Sequence, residues 1–267
     1  MLTIFHYDFM IRAFIAGVAI AFVAPVIGMF LVVKRYSTLA DTLAHVSLLG
    51  IAAGAIIGVS PVTGALVASS LAAMGMERLR RSGQLFSESV LALFLSGSLA
   101  LALILLGLSH GLNVNIFSYL FGSITTVSTA DLKEIGLFGG LVLASSVVLF
   151  PRLFIISYDE DLAKANGLPV ELLNLLLIVM AAVTVSISMR VVGILLVSAL
   201  MVIPPLGATQ FRCGFKKTAL IAVLVSLLSV ISGLFASFYL NLPSGGTIVL
   251  VALGIFLVSF VFNKKGF

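Results

Sequence analysis

The chain has no tryptophan, one cysteine and little charge: 9% of its 267 residues are Asp, Glu, Lys or Arg, against about 25% in an ordinary soluble domain. The lone Cys213 excludes an internal disulfide and any thiol cluster for a metal. Every polar stretch is too short for a soluble catalytic or nucleotide-binding domain. There is no G-x-x-x-x-G-K-[ST], so the chain carries no P-loop of its own. H-E-x-x-H is missing too, which argues against an intramembrane zinc protease. What is present is apolar: 61% of residues are hydrophobic and the mean hydropathy is +1.28. A soluble fold would expose that much apolar surface in large patches. The expectation is an all-α, polytopic membrane bundle, a single transmembrane domain over residues 1–267.

A membrane helix needs about 20 apolar residues. Such segments lie at 10–33, 44–60, 62–77, 88–108, 131–150, 170–189, 191–211, 218–239 and 246–262. That gives about nine spans, with eight the alternative count. The second and third are short and meet at Ser60-Pro61, which reads as a tight hairpin. The first is long enough to span and has no basic region before it, unlike a cleavable signal. The net charge of +5 does not imply a nucleic-acid partner, because the cations sit in small groups beside apolar runs. Lys34-Arg35, Arg78/Arg80/Arg81, Arg152, Arg212/Lys216/Lys217 and Lys264-Lys265 each follow an odd-numbered span. Lys and Arg favour the cytoplasmic side, which places the N-terminus outside and the C-terminus inside. Arg12 and Arg190 fall near the outer side and are exceptions; Arg190 can snorkel to the headgroups.

Ionisable groups within spans are costly, roughly 2.5–3.5 kcal/mol each on insertion scales. The outstanding pair is Asp41 and His45, in A-D-T-L-A-H. Four residues apart on a helix, they share one face. A carboxylate and an imidazole so placed can chelate one divalent cation, and oxygen plus nitrogen suits Zn, Mn or Fe(II) better than Cu(I). Two ligands do not close a structural zinc site, which fits an ion in passage. Ala40, Ala44, Ser47 and Gly50 would let another helix approach. The competing reading is structural: Asp41 caps the second helix and His45 bonds a neighbouring serine or carbonyl. The residues alone leave both open.

Ser157 to Pro169, S-Y-D-E-D-L-A-K-A-N-G-L-P, reads as a short capped helix between two spans. Ser157 and Glu160 have capping-box spacing, Asp159, Glu160 and Asp161 suit a helix N-terminus, and Gly167 with Pro169 ends it. It is either a solvated connector or a docking knob, with Leu162, Ala163 and Ala165 offering a small apolar surface. Pro204-Pro205 interrupts the seventh span, as a hinge, a pathway kink or a packing feature. His6 and His110 read as surface residues near the outer ends. Tyr119 to Gly122 reads as opening a short interfacial helix.

At D-T-L-A-H-V-S-L-L-G, residues 41–50, the sequence resembles the permease subunit of metal-ion ABC importers, the family taking up zinc, manganese or iron(II), and most of all the zinc-uptake permease. Tyr119-Leu120-Phe121-Gly122, Asp159 through Gly167, Val192-Gly193 leading to Ile203-Pro204, and Leu242-Pro243-Ser244-Gly245 with Thr247–Leu250 agree with it in order along nearly the whole chain. Pro205-Leu206 and Gly246 depart from the common pattern, which bears on helix flexibility and removes no metal ligand. The resemblance implies a homodimer of permeases in a bacterial cytoplasmic (inner) membrane, in contact with lipid. ATPase subunits bind on the cytoplasmic side and an extracytoplasmic metal-binding protein delivers the ion. It implies that Asp41 and His45 line the metal pathway and that Asp159, Glu160, Leu162, Ala163 and Gly167 belong to the helix coupling to the ATPase. No permanently bound cofactor is expected; the cargo is a divalent metal, Zn2+ first, with a manganese or iron permease or an ATP-independent metal carrier as alternatives.

Overall fold

The computed structural model describes residues 6–83, 86–108, 116–123, 125 and 127–263. Among them there is no strand. Twelve helices follow one another: α1 (Asp8–Val33), α2 (Ser37–Ile57), α3 (Pro61–Arg81), α4 (Ser87–Leu108), α5 (Ile116–Phe121), α6 (Thr129–Val148), α7 (Phe150–Tyr158), α8 (Glu160–Ala165), α9 (Val170–Val192), α10 (Ile194–Thr209), α11 (Phe215–Leu240) and α12 (Ser244–Asn263).

Six of these are long and apolar enough to cross a membrane, or seven if the pair α6–α7, bent by 74°, counts as one span. That is fewer than nine. The two other expected spans are helices that fall short: α3 carries Glu77 and ends in Arg78, Arg80 and Arg81, and α10 has only 16 residues. The expected hairpin at Ser60-Pro61 is present. Gly58, left-handed at φ 80°, ends α2. Ser60 Oγ then accepts from the Thr63 N–H at 3.2 Å, with Pro61 in the first turn of α3, where a missing N–H costs nothing.

The bundle closes around α1 and α9, whose apolar side chains are mostly enclosed, whereas α4 turns Leu93, Leu101, Leu103 and Ile104 outward. Outward leucines are what a lipid-facing helix requires. At one end of the bundle α1, α3 and α6 finish and α9 and α11 begin. Lys34, Arg80 and Arg81 gather there through ion pairs with Glu160, Glu77 and Glu171, and Phe30, Phe150 and Phe215 meet ring to ring. The basic groups that looked separate along the chain therefore share one end. His110 and Lys264-Lys265 lie outside the described residues, as does the side chain of Arg190. His6 is exposed and Arg12 half-buried.

At another junction the last residues of α5, the break between α9 and α10, and the start of α12 come together. Gly193 (φ 91°) sits at that break. A Cβ there would meet the Leu120 carbonyl oxygen at 2.5 Å; one at Gly122 (φ 73°) would meet the Val191 oxygen at 2.5 Å; one at Gly245 would overlap the Val192 oxygen. Ser244 Oγ donates to that Val191 carbonyl at 3.1 Å. Y-L-F-G, V-V-G and P-S-G, far apart in sequence, are thus one backbone-to-backbone joint. The Tyr119–Gly122 stretch ends the short helix α5 rather than opening one.

Candidate metal pathway

Asp41 and His45 both lie on α2. Between Leu39 and Ala52 every residue is buried except Asp41, His45 and Leu49. Their four-residue spacing makes one half-open stripe along a helix otherwise enclosed by α3, α4, α9 and α10. The small neighbours permit that enclosure: Gly50 faces Gly64 of α3 so closely that a Cβ on either would overlap the other's carbonyl. Ser47 Oγ lies 3.2 Å from Ser186 Oγ, which lies 2.8 Å from Ser69 Oγ. These three buried hydroxyls tie α2, α9 and α3 together, as polar side chains do between membrane helices.

The capping alternative for Asp41 does not hold. The helix begins at Ser37 after Tyr36, so Asp41 sits in its second turn and caps nothing. His45 Nδ1 is buried and has no hydrogen-bond partner, although a buried polar atom without a partner is costly. Asp41 is held from another helix: Ser198 Oγ of α10 donates to its Oδ1 at 3.0 Å. Sequence reasoning missed Ser198, because one serine in an apolar run carries no motif. Among the described residues no group of three or more His, Cys, Asp or Glu forms a metal cluster; the pair offers two candidate ligands and no closed site.

Pro204 and Pro205 do not interrupt α10, which runs helical from Ile194 through Thr209; the break lies at Gly193. Pro205 lacks the N–H that would bond the Met201 carbonyl one turn back. That carbonyl packs on Gly28 of α1, where a Cβ would overlap it. The neighbour fills the gap, so the helix stays continuous.

The predicted short helix is α8, and its cap differs from the expected one. Asp159, not Ser157, is the N-cap: its Oδ1 accepts from the N–H groups of Asp161 (2.9 Å) and Leu162 (3.0 Å). Ser157 is still inside α7 and buried, because the polypeptide forms a separate helix over 150–158 that the apolar pattern of the preceding span concealed. Gly167 (φ 71°) ends α8: its N–H bonds Lys164 O at 2.9 Å and the Leu168 N–H bonds Ala163 O at 3.1 Å, the paired closure typical of a left-handed glycine.

The faces of α8 are unequal. Ala163 is fully buried, while Leu162 is 51% exposed and Asp161 and Lys164 are open. Glu160 turns inward. Its Oε1 lies 2.5 Å from Lys34 Nζ, which also donates to Asn174 Oδ1 at 2.7 Å and Ile156 O at 3.3 Å. Asn174 returns a bond to Glu160 at 3.0 Å. Arg80 stands 3.8 Å from the same carboxylate and bonds the buried Glu77, which Arg81 also holds while pairing with Glu171. Burial alone would raise the Glu160 carboxyl, but the hydrogen bond and charge of Lys34, with Arg80 and Asn174, hold it below the ordinary carboxylate value. Burial pulls Lys34 down against the support of Glu160. The sequence offered these cations only as topology markers; in three dimensions they bind α8 to the ends of α1, α3 and α9.

The family described as the ABC 3 transport family matches residues 6–263. The chain belongs to that family. Members of the ABC 3 transport family are permease subunits of ABC transporters, so this chain is a multi-pass membrane permease. It is 34% identical over 98% of its length, and 98% of the other's, to a "Probable metal transport system membrane protein" of Treponema pallidum. It is 26% identical, covering 95% and 97%, to the high-affinity zinc uptake system membrane protein ZnuB of Haemophilus influenzae. It is 28% identical, covering 97% and 89%, to the manganese transport system membrane protein MntC of Halalkalibacterium halodurans. The solved structure "PsaBC from Streptococcus pneumoniae in complex with Fab" superposes with a TM-score of 0.86 at 30% identity, covering 95% of this chain and 91% of that one. The bundle is therefore the ABC importer permease fold.

Proposed function

We propose that this chain is the permease subunit of an ATP-driven importer of divalent metal ions, Zn2+ foremost, and that Asp41 and His45 line the ion's route. One observation carries the reading: a buried imidazole nitrogen without a partner, one helical turn from a carboxylate already oriented by a hydroxyl, on the open stripe of an enclosed helix. A cation passing along the stripe would give that imidazole a partner and the carboxylate a counter-charge. Two ligands from one chain leave coordination incomplete; a second copy presenting the same stripe would double them, which supports a homodimer with the pathway between copies. Carboxylate and imidazole accept Zn2+, Mn2+ and Fe2+ alike, so zinc rests on the similarity to the zinc-uptake permeases, and the manganese relative keeps Mn2+ as the second reading.

Energy enters from elsewhere, because the sequence has no nucleotide motif. ATPase subunits dock on the exposed side of α8, at Leu162, Asp161 and Lys164, while Glu160 and Ala163 anchor the helix from within. A displacement of α8 is then passed through Glu160 to Lys34 in the turn leading into α2. In this reading residues 1–267 form one permease domain in a bacterial cytoplasmic membrane, with the basic end inside, the N-terminus outside and a metal-binding protein delivering from there. The test is uptake by cells carrying the chain with and without its ATPase, offered zinc, manganese and iron separately. Uptake led by zinc and dependent on the ATPase supports the proposal; uptake by the chain alone, driven by an ion gradient, identifies a secondary carrier instead.

A further inference from the structure

At the basic end of the bundle the chain turns sharply out of α6 into α7, a bend of 74°. The new helix buries Leu153 and Ile156 against the bundle and leaves Pro151 and Arg152 exposed. A helix with a buried apolar side and Arg152 on its exposed side, lying across the direction of its predecessor, is suited to the plane of the membrane surface. Between α7 and the start of α11 is an open cleft. Phe150, Pro151 and Phe154 form one wall, and Phe215, Lys216 and Lys217 the other. Its floor is aromatic: Phe215 lies 4.7 Å from Phe154 and 5.4 Å from Phe150, centroid to centroid. A second cleft shares Phe150, Pro151 and Lys216 and continues to Val147 on α6. Val147 and Val148 there are 72% and 77% exposed, as lipid-facing residues are.

The groove is therefore polarised. It is cationic at Lys216 and Lys217 and apolar from Phe154 to Val147. Neither lysine is in any ion pair among the described residues, whereas Lys34, Arg80 and Arg81 at the neighbouring cluster each have a carboxylate partner. Two unneutralised cations at the mouth of an apolar groove that continues to the exposed valines of α6 match a molecule with a negative head and a hydrocarbon tail. We infer that this groove binds an anionic phospholipid, its phosphate between Lys216 and Lys217 and an acyl chain along Phe154, Pro151 and Val147. Basic pockets between membrane helices recognise anionic headgroups in this way. A peptide would not need the continuation to Val147, and a free phosphate would not need the aromatic walls. The inference stands apart from the metal reading and needs only that the bundle is embedded in a membrane.

The experiment is native mass spectrometry of the purified full chain offered equimolar phosphatidylglycerol and phosphatidylcholine. The wild type is expected to retain phosphatidylglycerol selectively. K216Q/K217Q should lower that selectivity by roughly thirty-fold, the size expected of two lysines at an anionic surface. R78Q/K164Q, with the same change in net charge, should keep it, and Val147→Asp should weaken retention by opposing the tail. Selectivity unchanged in K216Q/K217Q, or lost equally in R78Q/K164Q, overturns the site. Displacement of the lipid by millimolar inorganic phosphate would show a simple anion site and overturns it too, as would loss of ATPase binding in K216Q/K217Q with lipid retention intact.

Discussion

Glu160 Oε1 lies 2.5 Å from Nζ of Lys34, across 126 residues of chain, and the lysine side chain is only 6% exposed. One residue opens the short helix α8; the other sits in the turn between α1 and α2, the helix that carries Asp41 and His45. Removing the lysine takes from Glu160 its nearest counter-charge and leaves it only Arg80 at 3.8 Å and Asn174, and loss of a charged hydrogen-bond partner is costly. Lys34→Met should therefore lower stability by about 1–3 kcal/mol and abolish ATP-driven uptake. Restoring neutrality with Lys34→Met plus Glu160→Gln should recover much of the stability and little of the uptake. A thermal melt and an uptake assay on the three variants check this; full transport by the double variant would show that the link carries no motion.

The same pair sets a pH dependence. The Glu160 carboxyl is held below its ordinary value, so its stabilising contribution is present above about pH 4.3, the usual glutamate value, and is lost as the pH falls through the lower folded value. The difference in melting temperature between wild type and Glu160→Gln should be constant near neutrality and vanish on acidification. A difference that grows toward low pH would contradict the assignment.

The glycine joint makes a sharper mechanical prediction. Gly193→Ala, Gly122→Ala and Gly245→Ala each place a Cβ onto the backbone of another segment, and the first two also force an L-residue to positive φ. Each should abolish folded expression or lower the melting temperature by ten degrees or more, on the order of 3 kcal/mol or above. Gly246→Ala, with open space around it, should melt like the wild type. Size-exclusion profiles of the four variants decide the matter.

Much of this was legible in the sequence, and the boundary has physical reasons. The helices follow from apolar runs of spanning length. The Asp41–His45 spacing and the glycine closing α8 are local features, so one-dimensional pattern reading reaches them. The helix α7 was hidden because its apolar residues continue those of α6, and only the 74° bend separates the two. Lys34, Arg80 and Arg81 could be read as topology markers but not as a cluster, because Glu160 and Glu171, which join them to α8 and α9, lie far along the chain. Pro204-Pro205 is a local signal for a helix interruption, and the helix is nevertheless continuous; the contact of Gly28 of another helix with the Met201 carbonyl is not written in the local sequence.

Ser198 is the residue that only packing revealed. Its hydroxyl fixes one oxygen of Asp41 at 3.0 Å. Hydrogen bonds that orient a metal-binding group are commonly worth 10–100-fold in metal affinity. Ser198→Ala should raise the ion concentration for half-maximal uptake by about tenfold with little change in maximal rate, whereas Ser229→Ala, whose buried hydroxyl bonds only its own helix at Val225, should leave it unchanged. Concentration-dependent uptake with the two variants separates the cases.

The central claim is that a carboxylate and an imidazole on α2 hand a dication through the bundle. Its most direct test is radiolabelled zinc uptake into vesicles containing the permease assembled with its ATPase, for wild type, Asp41→Asn and His45→Ala. The account predicts that both variants assemble, retain ATPase binding and transport at background level. Normal transport by either variant would contradict it.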